Sequence, residues 1–186
     1  MAASSPQSEV VRGAIEAFRF NKDLADRAIS QVSDELLHEP LDPNTNSIAV
    51  IMKHVAGNLL SRFTDFLTAD GEKPWRDRDQ EFVDSFRDRN DLTDYWQRGW
   101  DCLFDMLGQL TADGIAKTIT IRGEPHSVPL AISRSLAHCG YHIGQIVMIA
   151  RIHAKDDWQT LTIARGESAS FNNEVWDQSS YRKPDE

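Results

Sequence analysis

Apolar residues return at helical spacing in four long segments, and that periodicity limits the architecture more than any other feature of the chain. The first spans residues 8–32, with Val11, Ile15, Phe18, Ala25, Ile29 and Val32 on one side and charges on the other. Pro40 and Pro43 break the chain, and the capping-rich run Asn44-Thr45-Asn46-Ser47 predicts a second helix from about Ser47. Its stripe is Ile51, His54, Val55, Asn58, Leu59, Arg62, Phe63 and Phe66, with Asp70-Gly71 as its expected end. A third helix is expected from a cap at Asn90-Asp91, carrying Leu92, Trp96, Leu103, Met106, Leu107 and Leu110, with Gly114 as a stop. The period then changes. Ile115, Lys117, Ile119 and Ile121 alternate before Arg122-Gly123-Glu124-Pro125, the mark of a short strand and turn. Pro129 suits the first position of a fourth helix running to about His153.

These elements predict an all-α fold: a four-helix bundle with a short hairpin-like insertion before the fourth helix. The connection at 71–90 is long enough to permit parallel neighbours, so a crossover topology is expected rather than simple up-down order. With 186 residues, a single domain over 1–186 is the default, ending in a mixed polar tail from about 156. Trp158, Phe171 and Trp176 are the candidate anchors of that tail.

Bulk chemistry removes several function classes. The formal net charge of −9 and the lack of a basic patch argue against a nucleic-acid partner. Arg76, Arg78, Arg87 and Arg89 alternate with acids and read as a solvated loop, with Trp75-Arg76-Asp77-Arg78-Asp79 able to act as a lid or anion contact. Apolar runs such as Ile48-Ala49-Val50-Ile51-Met52 are too short for a membrane span. Residues 1–8 have neither a basic nor an apolar leader region. Two cysteines, Cys102 and Cys139, make no disulfide framework. A reduced, cytoplasmic protein is the expectation. No HExxH, GxGxxG or Walker-type loop is present, which disfavours zincin and nucleotide chemistry.

The chemistry concentrates in two stretches. His138 and His142 lie four residues apart in an apolar-periodic segment, about 40° apart in projection and about 6 Å along a helix axis. His54 lies on the stripe of the second helix. A single histidine on such a stripe is more often a hydrogen-bonded core residue than a ligand. Three inward imidazoles are harder to satisfy without a shared ion, and facing helices of a bundle are where metal sites are built. Three protein nitrogens leave a coordination position open, the arrangement of a catalytic rather than a structural site. Imidazoles suit zinc, nickel, copper or iron, with zinc or nickel the first expectation. Asn58, Tyr141 and Gln145 are the candidates for supporting or substrate contacts. Cys139 points about 100° from His138 on a helix and is expected to be a buried packing residue, as is Cys102. His38, His126 and His153 read as surface residues.

The pattern His138-x-x-x-His142-x-Gly144-Gln145-Ile146, with His54 on the second helix, resembles the DinB/YfiT-like superfamily of metal-dependent bundles. Asn21-Lys22-Asp23-Leu24-Ala25, the run Asn58 to Leu67, Asp70-Gly71-Glu72-Lys73-Pro74-Trp75 and Arg165-Gly166-Glu167-Ser168 look like one branch of it. The resemblance implies a crossover bundle, a metal site at His54, His138 and His142, and a homodimer. It also implies a low-molecular-weight-thiol S-transferase or a related isomerase, since its characterised relatives use bacillithiol or mycothiol, the latter in maleylpyruvate isomerisation. A small-molecule substrate is then the expected partner. The rival expectation is a non-catalytic, dimeric bundle that binds metal or a small molecule, and the plainest is a bundle whose histidines are merely buried.

Overall fold

The computed structural model describes residues 6–178, with side-chain environments for 9–175. Its helices are α1 (Pro6–Ile29), α2 (Asp34–His38), α3 (Ile48–Phe63), α4 (Arg89–Gly108), α5 (Ala112–Ile115), α6 (Val128–Ala154) and α7 (Ser168–Gln178). One hairpin, β1 (Thr118–Ile121) with β2 (Glu124–Ser127), precedes α6. Single 3-10 turns lie at Gln80–Phe82 and Lys155–Asp157. The all-α class and the hairpin match the sequence reading. Among the described residues no helix is long and apolar enough to cross a membrane.

The four long helices are the four periodic segments. Helix α3 packs against α4 and α6, and α1 packs against α6 and α4. Between them Phe18, Met52, Val55, Leu59, Trp100, Leu103, Ile143 and Ile146 are fully buried. One side of this core is aromatic: Trp100 meets Phe18 and Trp96 edge-on and stacks on Phe104. The Trp96 indole N–H donates to Asp26 Oδ1 at 2.9 Å, so a large ring is buried without losing its hydrogen bond.

Several boundaries differ from the sequence reading, each for a local reason. Helix α3 stops at Phe63, not near Asp70-Gly71, because Asp65 takes a left-handed backbone (φ 49°) that no helix continues through. The α4 cap is Asp88 rather than Asn90-Asp91: its carboxylate accepts the Asp91 N–H at 2.9 Å. Helix α4 ends at Gly108, and Gly114 lies inside α5. Pro129 is the second residue of α6, after Val128, behind the cap Ser127. The β1–β2 turn has only two residues, Arg122 and Gly123, at φ 56° and 75°. That left-handed pair matches the twist of the strands, and Gly123 adopts it without a Cβ penalty. Pro125 therefore lies in β2, opposite Thr120.

The connection from 64 to 88 is fastened at several points, although Trp75, Arg78, Arg87 and most other residues from 74 to 88 are exposed, as a solvated loop would be. The Asp70 carboxylate accepts N–H groups from Glu72, Arg122 and Gly123 at 2.7–2.8 Å. Gly71 N–H donates to the Thr120 carbonyl at 2.8 Å, and Ser61 Oγ–H donates to the Gly71 carbonyl at 2.8 Å. Further on, Lys53 Nζ donates to the Val83 carbonyl and to Ser85 Oγ. Arg89, also read as solvated, donates to the carbonyls of Ile29 and Val32 at the end of α1. The tail contains a helix the sequence reading lacked, α7, with Phe171 exposed on it. Trp158 packs against the core and Leu161 is buried, while the Trp176 side chain lies outside the described residues.

Candidate metal centre

His54 enters the core from the middle of α3, where the stripe Ile51, Val55 and Leu59 already faces inward. His138 and His142 descend from α6 one turn apart, on the side that packs against α3. The three rings meet with centroids 5.1 Å (54 to 138), 4.8 Å (54 to 142) and 4.6 Å (138 to 142) apart. One ring nitrogen from each lies within 4.8 Å of the others. The Nε2 atoms of His54 and His138 are 3.1 Å apart. Two nitrogens on one tetrahedral zinc lie about 3.3 Å apart, so this pair already has ligand spacing, whereas the set as a whole spans up to 4.8 Å.

Two of the rings are oriented from behind. Nδ1–H of His54 donates to Glu81 Oε2 at 2.9 Å, and Nδ1–H of His142 donates to Gln145 Oε1 at 2.8 Å. A neutral imidazole that donates through Nδ1 keeps its lone pair on Nε2. Both rings therefore present a metal-binding atom to the shared space, the usual second partner of a histidine ligand. Two Nε2 lone pairs 3.1 Å apart repel each other unless a cation or a shared proton lies between them. If His138 supplied that proton from Nε2, its buried Nδ1 would need a donor, and it has no partner. A divalent ion removes that repulsion at Nε2, although His138 Nδ1 stays buried without a partner in either case. The donor set thus fits a metal.

Electrostatics keep the set in ligand form. Burial pushes the His138 imidazolium down to about 3, helped by the charges of its two neighbours and of Arg76 and Arg62. Burial also lowers His142; the Gln145 hydrogen bond opposes that effect and His54 adds to it. Burial would raise the Glu81 carboxyl, but hydrogen bonds from His54 and Arg76 and the Arg76 charge outweigh it, and Glu81 stays below the ordinary carboxylate range. Arg76 grips Glu81 twice, Nε to Oε1 at 2.7 Å and Nη2 to Oε2 at 2.9 Å. The Arg76 side chain is 2% exposed, so this arginine is a buried structural cation and not part of a solvated loop. Phe82 stacks on His54 at 4.8 Å and covers it from the same segment.

Glu81 is the residue sequence reasoning missed. It stands among Asp77, Asp79 and Asp84, and nothing in its own type separates it from them. Two neighbours carry the signal. Phe82 and Val83 form an apolar pair in an otherwise charged run, and Gly57 stands three residues after His54. A Cβ on Gly57 would lie 2.6 Å from Glu81 Oε1, so only glycine lets the carboxylate come this close to α3.

With this geometry the family comparison is informative. Residues 6–167 match the family described as Protein of unknown function (DUF1572). The chain belongs to that family. No curated protein and no solved structure gives a match. The match spans this chain from α1 through the end of the connection before α7, so His54, His138, His142, Glu81 and Gln145 of this chain all lie within it.

The remaining candidates separate. Asn58 is buried one turn beyond His54, beside a cavity that also touches His138. Gln145 holds His142, whereas Tyr141 is exposed and meets His142 edge-on at 4.8 Å. Cys139 is fully buried, and burial pushes its thiol up to about 12, so it supplies no nucleophile. Cys102 is half-buried beside Thr64 Oγ1. His126 is not a surface residue. It is 6% exposed, its Nδ1–H donates to the Glu124 carbonyl at 2.9 Å, and Arg134 donates to its Nε2. The inward face of β2 buries it, a consequence of strand alternation. His38 and His153 are half-buried and bonded to Asp84 and to the Glu39 carbonyl.

Proposed function

We propose that His54, His138 and His142 hold a divalent cation, zinc or nickel, and that the protein is a metal-dependent enzyme of the low-molecular-weight-thiol S-transferase or related isomerase type. The reading includes a DinB/YfiT-like crossover four-helix bundle, working as a cytoplasmic homodimer on a small-molecule substrate. The observation that carries it is the pair of oriented imidazoles, each with Nδ1 committed to an acceptor and Nε2 left for a ligand. A bound divalent ion with an open position supplies Lewis acidity and lowers the pKa of a thiol or water placed there.

The chain's own residues favour a nucleophile brought by the substrate. Glu81 is locked between Arg76 and His54, so it positions a ligand ring and is not available as a general base. Cys139 is sealed in the core and protonated. Glu81 and Gln145 thus hold two of the imidazoles, His54 and His142, and fix their tautomers. An external thiol supplies the reactive atom in this reading.

Metal analysis of the purified protein against His138→Ala tests the site. Near-stoichiometric metal in the wild type and its loss in the variant is expected; negligible metal in both removes the proposal. Incubation of the loaded protein with thiols and a panel of electrophiles then tests turnover. Metal-dependent adduct formation is expected, and binding without turnover assigns the chain to the sequestering class instead.

A further inference from the structure

A cavity of about 110 Å³ opens beside His138, between the end of α3, the hairpin and the first half of α6. It has room for several waters or a short organic molecule. His138 is the only one of the three imidazoles that lines it. Its polar wall is Asn58, Arg62, Arg134 and Ser135, and Phe66 and Ile121 are among its apolar walls.

Two observations say what it takes. Ser135 is 7% exposed and its hydroxyl has no hydrogen-bond partner. A helical serine ordinarily returns its O–H to a carbonyl one turn back, and this one does not. A buried hydroxyl left in that state costs stability unless a ligand completes it. Secondly, two cations line the cavity, Arg62 and Arg134, and the one carboxylate that Arg62 meets is shared with two arginines outside it. Glu72 alone faces Arg62, Arg76 and Arg122, at 3.2, 3.6 and 3.1 Å. Glu81 is held by Arg76, and Arg134 spends Nη1 on His126 Nε2 but pairs with no carboxylate among the described residues. Burial and the neighbouring Arg76 both push the Arg62 guanidinium below its ordinary range, in keeping with cations crowded together.

We propose that this cavity seats the carboxylate of a small, otherwise apolar organic acid, bound by Arg134, Arg62 and the Ser135 hydroxyl, with its body against Phe66 and Ile121. The acid's far end then lies beside His138. The inference deepens the proposed function and rests on it for the identity of the reacting end, but the carboxylate seat uses none of the three imidazoles.

The full chain, chelated and zinc-loaded, is titrated with butyrate, butyramide and inorganic phosphate, by calorimetry. Chelated protein is the decisive arm, because there a carboxylate has no metal to coordinate. Butyrate is expected to bind about tenfold more tightly than butyramide, as a charged hydrogen-bonded pair requires. Arg134→Gln and Ser135→Ala should each weaken butyrate several-fold, with helical content and zinc content unchanged. Equal affinity for butyrate and butyramide overturns the proposal, as does indifference to Arg134→Gln. Preference for phosphate over butyrate overturns the carboxylate assignment. Selective butyrate binding by a protein that takes up no zinc keeps this cavity and removes the metal; the reverse pattern keeps the metal and removes the cavity.

Discussion

The connection at 64–88 and the tail after α6 are both polar, both rich in charge and both joined to the same core, yet the structure treats them oppositely. In the connection, Arg76 and Glu81 are buried, and Asp70 gathers three backbone N–H groups from two separate segments. In the tail, every residue from Thr162 to Val175 is exposed. Composition does not separate them. What separates them is whether each charge meets a partner that also needs one. Arg76 needs a carboxylate, Glu81 needs donors, and His54 needs an acceptor, so each makes burial of the others tolerable. The described charges of the tail are exposed instead.

Removing one member of that set has the largest effect in the contrast. Glu81→Ala leaves a buried guanidinium and a buried imidazole N–H without their acceptor. Breaking a buried pair on one side costs about 3–5 kcal/mol, which lowers the melting temperature of a chain this size by roughly 10 °C. Metal retention should weaken about 10–100-fold, the usual effect of losing the group behind a histidine ligand. Glu81→Gln keeps one acceptor oxygen and should recover much of the loss. Thermal unfolding and metal competition of the two variants check this. If Glu81→Ala melts like wild type, the connection is as loosely held as the tail.

The same contrast explains which features were legible from sequence. The long helices, the hairpin and the three histidines all announce themselves through period: 3.6 along α3 and α6, two along β1. Capping at Ser47 was legible too, since its hydroxyl accepts the Val50 N–H as the run Asn44 to Ser47 suggests. The misses share another cause. Glu81 and Arg89 are polar residues whose burial depends on partners distant in sequence, His54 for Glu81 and the end of α1 for Arg89, and Arg76 is buried through Glu81. No local pattern encodes such a partner. The α3 terminus was misplaced because Phe66 continues the apolar stripe beyond the residue, Asp65, where the backbone turns away. Helix α7 was missed because Phe171 and Val175, its large apolar side chains among the described residues, are exposed and form no stripe against a core.

Asp70 sharpens the comparison through pH. Its carboxylate is half-buried and accepts N–H from Glu72, Gly123 and Arg122, and those bonds hold its pKa well below the ordinary carboxylate range. The folded state therefore releases this proton more readily than the unfolded chain, whose value is about 4. The resulting stability is present above about pH 4 and is lost as pH falls from there towards the folded value. Asp70→Asn keeps one oxygen but gives up the charge, and should cost about 1 kcal/mol at pH 7, as for a capping carboxylate. It should also flatten the acid limb of stability against pH. Urea unfolding at pH 7, 4 and 3 measures both. Parallel curves for variant and wild type would show that Asp70 does not fasten the hairpin to the connection.

The smallest effect belongs to the tail. Phe171 carries a large apolar ring, and by residue type alone it is a better anchor than any carboxylate in the connection. It is nevertheless 45% exposed, and its backbone N–H bond to the Glu167 carbonyl survives any side-chain change. Phe171→Ala should therefore alter stability by less than about 0.5 kcal/mol, the range of a surface substitution. A loss several times larger would mean that α7 covers an apolar face in the working protein. The tail would then be held as the connection is, by a partner it meets away from its own core.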